Sequence, residues 1–211
     1  HPWHFTRTKN NRPFSSLQAH HLIVSASMND VDIKDMCLEY DYDINSHKNG
    51  VMLPYYKDLA CLLFLPVHNT NHEGGETDKK DSDPESKPGS FLNYPRAVQE
   101  KLEGLRTLVD KGRICTDKDP VNKFHEKIDN ISKGILKKIN DELWTITGAG
   151  KNYQKKKSDE SKLGCKNATH PDLSMKSKPC ESRKSNEEHN IVNSNGVRIK
   201  RNANKELEIG K

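Results

Sequence analysis

Apolar positions are concentrated between about residues 14 and 146, and their spacing changes character along that span. Leu17 to Val24, within SSLQAHHLIVS, is a short apolar run and predicts a strand. MNDVDIKDMCLEY (28–40) sets Val31, Ile33, Met36, Cys37 and Tyr40 near helical spacing behind Asn29 or Asp30, either of which suits an N-cap. Asn49-Gly50 is a turn signal, and Val51 to Leu53 then predicts a short strand that Pro54 stops. LACLLFLPV (59–67) reads as a buried segment, since it falls well short of the ~20 apolar residues a membrane span needs.

Two longer stripes lie further along the chain. Tyr94, Val98, Leu102, Leu105, Leu108 and Val109 mark one helical face, which Lys111-Gly112 closes with a basic last turn and a C-cap. Asp119-Pro120 opens a second helix, whose apolar face runs from Phe124 through Ile128, Ile131, Ile135, Leu136, Ile139 and Leu143 to Trp144. Residues 1–13 read as an irregular lead-in. EGGETDKKDSDPESKPGS (73–90) has almost no apolar side chains and reads as a flexible insertion. From Lys151 the chain turns polar and low in complexity, and GVRIKRNANKELEIGK alternates as a small terminal β-hairpin would around Asn202–Asn204. The organisation expected is a core over 1–112 interrupted at 73–90, a helical extension over 113–150 packed on it, and a basic tail over 151–211.

Composition narrows the classes. Of the 211 residues, 32% are hydrophobic and 31% charged, so a packed core and long polar stretches must coexist. Residues 1–112 carry 13 Lys and Arg against 16 Asp and Glu, whereas 113–211 carry 22 against 14, which puts the surplus of positive charge in the second half. Five cysteines without a CxxC exclude a disulfide framework and a thiolate zinc site; the nearest approach to a bridge or metal clip is Cys165 and Cys180 with His170 between them. The sequence begins at His1 rather than Met, which reads as a domain cut from a longer protein, with any targeting signal out of view.

The chemistry-bearing residues are histidines in the acidic half: His20-His21, His47, and His68-x3-His72. Two histidines four apart share a helix face and can share a metal, with a third ligand, such as His20, arriving from elsewhere. His21 would then lie across the strand, near the metal but free to act as a general base, and Asn49 offers an oxygen to orient it. Each piece has a plain alternative: one buried and one exposed strand histidine, a chance HxxxH, and a turn needing no function.

Taken in order, AHHLI (19–23), DINSHKNGVMLP (43–54) and HNTNH (68–72), with Tyr94 and the helix from Pro95 after them, resemble the AHH family of the HNH/endonuclease VII superfamily. These are the His-Me finger, or ββα-metal, nucleases. The resemblance spans roughly residues 17–109. It implies an α+β fold with a ββα-metal core, carrying additional α-helices and a polar, partly disordered basic C-terminal extension. By the family pattern His20 is similar to the first metal ligand, His21 to the general base, and Asn49 to the residue that orients that base. His72 resembles the strongest helix-side metal position and His68 the one before it, while Asp43 and Asn45 read as turn-forming. One departure is the 73–90 segment, which separates the last histidine from its tyrosine.

The resemblance further implies a metal-dependent endonuclease that hydrolyses DNA with one divalent ion, Mg or Mn and Zn being joint candidates. Lys133, Lys137, Lys138 and Lys155, Lys156, Lys157 are the expected phosphate contacts. With no aromatic ladder visible, sequence-tolerant backbone contact is the expected mode. Family members are commonly toxin domains of bacterial secretion systems, which implies delivery into the cytoplasm of a target cell and a cognate immunity protein. An RNase on the same scaffold, and a non-catalytic zinc-stabilised module binding nucleic acid or a partner, are the competing readings.

Overall fold

The computed structural model describes residues 1–9, 11–63, 65–69, 71–72, 93–140, 144, 146–147, 191–199, 207 and 209–210. The chain opens with a hairpin that the sequence pattern does not announce: β1 (Thr6–Lys9) pairs antiparallel with β2 (Arg12–Ser15). Residues 1–13 are therefore not an irregular lead-in. The strands are mostly exposed and polar, so no apolar alternation betrays them. Asn11 turns the hairpin at φ 58°, a left-handed conformation that asparagine tolerates better than most residues. Trp3 and Phe5 anchor its base in the core, and buried Ser16 locks it there: Phe5 N–H donates to Ser16 Oγ at 2.8 Å, and Ser16 Oγ donates to the Trp3 carbonyl at 2.9 Å.

Beyond Ser16 the chain enters β3 (Leu17–His21), which pairs antiparallel with β4 (Gly50–Pro54) in the register His20 opposite Val51 and His21 opposite Gly50. The strand expected to reach Val24 leaves the ladder after His21, and Leu22, Ile23 and Val24 sink into the core. A 3-10 turn (Ser25–Met28) leads to α1 (Val31–Glu39), capped by Asp30, whose side chain accepts from the Asp32 N–H. Asn49-Gly50 does not turn a hairpin. Asn49 ends a second 3-10 turn (His47–Asn49), and Gly50 has extended backbone at the head of β4. The two strands are joined by the whole of 22–49, so the turn chemistry of the dipeptide is not used.

The apolar run after β4 forms α2 (Lys57–Leu63) and then a buried non-helical stretch through Leu65 and Val67. Both long helices match the periodicity: α3 is Tyr94–Asp110 and α4 is described over Pro120–Asn140. Asn93 caps α3 by accepting from Arg96 N–H. At its other end Gly112 adopts φ 68°, while Gly112 N–H reaches the Val109 carbonyl and Arg113 N–H the Leu108 carbonyl, a Schellman closure. Asp119 Oδ1 caps α4 on Asn122 N–H. Among the described residues, no helix is long and apolar enough to cross a membrane.

α3 packs against α1 on one side and α4 on the other, and the pair of β3 and β4 lies beside them around one core. Residues assigned by sequence to a tail join that core: Ile191, Ile199 and Leu207 are buried. The turn found there spans Asn193–Gly196, with Val192 bridging Arg198, whereas the expected turn at 202–204 lies outside the described residues. The 73–90 segment, Cys165, His170 and Cys180 also lie outside them.

Candidate functional site

Strand β3 delivers its two histidines to opposite environments, as alternation requires: His20 is buried and His21 exposed. His68 and His72 reach His20 from the segment after α2. Its described backbone is not helical, which corrects the expectation that HxxxH marks a helix face. Pro66 denies that segment a helical hydrogen bond, and His68 N–H is tied to the Pro54 carbonyl at 2.8 Å, holding it against the end of β4. The rings of His68 and His72 stack at 5.2 Å with 10° between their planes, and His20 stands edge-on to both at 4.8 and 5.0 Å. One ligand nitrogen from each of the three lies within 4.8 Å of the others.

Hydrogen bonds set which nitrogen each ring presents. Tyr94, the first residue of α3, donates its hydroxyl proton to the Leu22 carbonyl at 2.7 Å. At 3.1 Å from His20 Nε2, the same oxygen must therefore accept, which places the proton of His20 on Nε2 and leaves a lone pair on Nδ1. His72 Nδ1 lies 3.2 Å from the Ile146 carbonyl, which can only accept, so its lone pair is on Nε2. His20 Nδ1 and His68 Nδ1 are buried and have no hydrogen-bond partner. Orphaned lone pairs in a dry cluster are costly unless a cation takes them, and three neutral imidazoles, two of them oriented by acceptors on the far ring nitrogen, fit a divalent ion.

Electrostatics agree with that assignment. Burial first, and then the neighbouring His68, His72 and His21, hold His20 well below the ordinary imidazole range. Burial and His72 push His68 down to about 4, and burial lowers His72 against the opposing bond from Ile146. The cluster is therefore neutral at physiological pH and needs no deprotonation to bind metal. Linkage gives a test. His68 titrates near 6.5 unfolded and about 4 folded, so the unfolded chain binds more protons between those values. The metal-free protein should hold its full stability above about pH 6.5 and lose roughly 3 kcal/mol from His68 alone as the pH falls to 4, read as a falling urea midpoint.

His21 lines a cavity of about 240 Å³ together with His20, Asn45, Ser46, His47, Gly50 and Gly210. Asn49 does not orient the His21 ring through a bond of its own. Its side-chain oxygen accepts from Ile23 N–H (2.7 Å) and Ser132 Oγ (3.1 Å), and its amide donates to the carbonyls of Ile23 and Ile44 (both 2.9 Å). With Leu22 N–H on its own carbonyl, Asn49 instead clamps the backbone leaving β3 immediately after His21. Lys133 and Lys137 are exposed on one face of α4 and Lys138 is half-buried, away from the histidine cluster in sequence; Lys155, Lys156 and Lys157 lie outside the described residues.

Sequence reasoning missed the back wall of the site. The segment after α4 returns to it: Ile146 supplies the carbonyl to His72, Thr147 Oγ1 donates to the Val67 carbonyl next to His68, and Trp144 packs edge-on against Tyr94 at 5.8 Å. Nothing in the pattern of 144–147 signals this, because Ile146 acts through its backbone carbonyl and the partners of Thr147 and Trp144 lie some 80 and 50 positions earlier in the chain. Tyr94→Phe should keep the packing but remove the acceptor that orients His20. A loss of roughly 10- to 100-fold in metal affinity is expected, measured by competition with a chelating dye.

Two buried imidazoles and a half-buried one with converging ligand nitrogens, and a solvent-facing imidazole next to them on the strand, form a cluster that could hold a metal ion. The model of the AHH family, a nuclease family of the HNH/ENDO VII superfamily with conserved AHH, matches residues 6–143. With most of its length inside that match, the chain belongs to the AHH family and is a nuclease, its AHH being Ala19-His20-His21. Neither curated proteins nor solved structures gave a match.

Proposed function

We propose that this nuclease is a metal-dependent endonuclease that cuts DNA with little sequence specificity from a ββα-metal core built of β3, β4 and α3. The observation that carries the reading is the sorting of the adjacent histidines. His20 is buried, held by Tyr94 and with a ligand nitrogen within 4.8 Å of those of His68 and His72, while His21 is exposed at the mouth of the strand pair and lines the cavity beside it. His20, His68 and His72 would hold one divalent ion, which when bound would supply stabilisation of the charge that grows on the phosphate in the transition state. His21 takes the proton of the attacking water, and Asn49 positions it by fixing the strand exit. All-imidazole ligation favours Zn over Mn or Mg.

Lys133 and Lys137 on the exposed face of α4 supply sequence-independent phosphate contacts. For the biological setting, the family resemblance supports a toxin domain delivered from a producing bacterium into the cytoplasm of a target cell and held in check by an immunity protein. Supercoiled plasmid incubated with the protein and Mn or Zn should be nicked and then linearised. EDTA should stop the reaction and excess metal restore it. Degradation of labelled RNA beside intact plasmid would replace DNA by RNA as substrate.

A further inference from the structure

The hairpin that the sequence concealed assembles a second recognition surface. Phe14 on β2 and Tyr55 just beyond β4 lie with rings 6.1 Å apart and 14° from parallel, a pair made from residues 41 positions apart. They line a cleft of about 500 Å³ together with Gln18 and Asn69. Asn69 Oδ1 has its surface covered and no hydrogen-bond partner. Arg7 pairs with Phe14 across the ladder and Arg12 is two residues away on the same strand, so both share Phe14's face of the hairpin. The Arg7 guanidinium is held over the rings of Phe5 and Tyr56 at 5.0 and 4.7 Å.

This cleft adjoins the histidine cluster. Gln18 and His20 are alternate residues of β3, so they share a face about 6.8 Å apart, and Asn69 directly follows His68. Flat aromatic rings and guanidinium groups are the features that receive a base face and phosphates, and the Asn69 side chain lines the same cleft. We propose that the cleft binds the base of an unpaired nucleotide flanking the cleaved phosphate, stacked on Phe14 and Tyr55, with Asn69 beside it and Arg7 and Arg12 facing the backbone. This rests on the reading that the histidine cluster cleaves nucleic acid. It replaces purely backbone contact, expected from the sequence, with contact to a base face.

The probes are ten-nucleotide oligodeoxyuridylate and oligouridylate carrying fluorescein, titrated by anisotropy in EDTA so that no turnover intervenes; they share one base, so the tighter of the two identifies the sugar. Phe14→Leu and Tyr55→Leu, which keep apolar bulk without an aromatic face, should each weaken binding roughly 5- to 100-fold. Oligomer with abasic sites should bind wild-type protein as weakly as the intact oligomer binds the variants, which keeps the test independent of how the variants fold. Equal affinity of abasic and intact oligomers for wild-type protein would overturn the proposal. If that happened while plasmid was still cut, the subsite would fail and the nuclease site stand; stacking-dependent binding without any cleavage would be the reverse.

Discussion

His21→Ala is expected to lower the rate of plasmid cleavage by about 10²- to 10⁴-fold, the usual contribution of a positioned general base. Three features set that expectation. The His21 side chain is exposed while its neighbour is buried, and it lines the cavity where a phosphodiester can approach. It also lies close enough that its charge would oppose protonation of His20 and His72, which places it beside the cluster proposed to hold the ion. Residual cleavage should stay metal-dependent, because the charge on the phosphate is stabilised by the ion rather than by His21. Single-turnover rates on supercoiled plasmid measure the loss, and an undiminished rate would remove His21 from the chemistry.

Asn49→Ala carries the largest expected effect on stability, roughly 4 kcal/mol, read from urea unfolding. The side chain is fully buried, and its loss abandons four partners at once: Ile23 N–H, the carbonyls of Ile23 and Ile44, and the Ser132 hydroxyl. Each buried group left unpaired costs about 1–3 kcal/mol, offset in part by water entering the site. Relaxation should be limited, because Lys48 Nζ still meets Asp129 at 3.0 Å and keeps the 3-10 turn against α4. Where the variant folds, its cleavage should fall as well, since the strand exit that sets the direction of His21 is no longer clamped. A stability change under about 1 kcal/mol would contradict the clamp.

The histidine sorting is legible in the sequence because β alternation is a rigid rule: adjacent residues of a strand face opposite ways whatever the rest of the fold does. The two long helices are equally legible, since their apolar stripes extend over several turns and their ends carry Asn93, Gly112 and Asp119. Features that depend on contact rather than period escape such a reading. The β1–β2 hairpin is exposed and polar, so its strands look like a loop. Asn49-Gly50 has the composition of a hairpin turn, yet Asn49 is used for its side-chain amide, and helix α4 supplies one of the partners. The His68–His72 spacing suits a helix, but Pro66 and the bond from His68 N–H to Pro54 produce the same convergence from non-helical backbone. Ile146 contributes through its backbone carbonyl, and Thr147 through a hydroxyl whose distant partner no local pattern encodes.

The proposed reaction depends on a division of work between two neighbouring imidazoles of one strand, in which His20 would hold the metal and His21 would leave it alone. Calorimetric titration of Mn or Zn into His20→Ala and His21→Ala, side by side with wild-type protein, puts it to the test. One ion per chain at wild-type affinity is expected in His21→Ala, with binding weakened by at least about 100-fold in His20→Ala. Equal loss of the ion from both variants, or its retention in His20→Ala, would contradict the division.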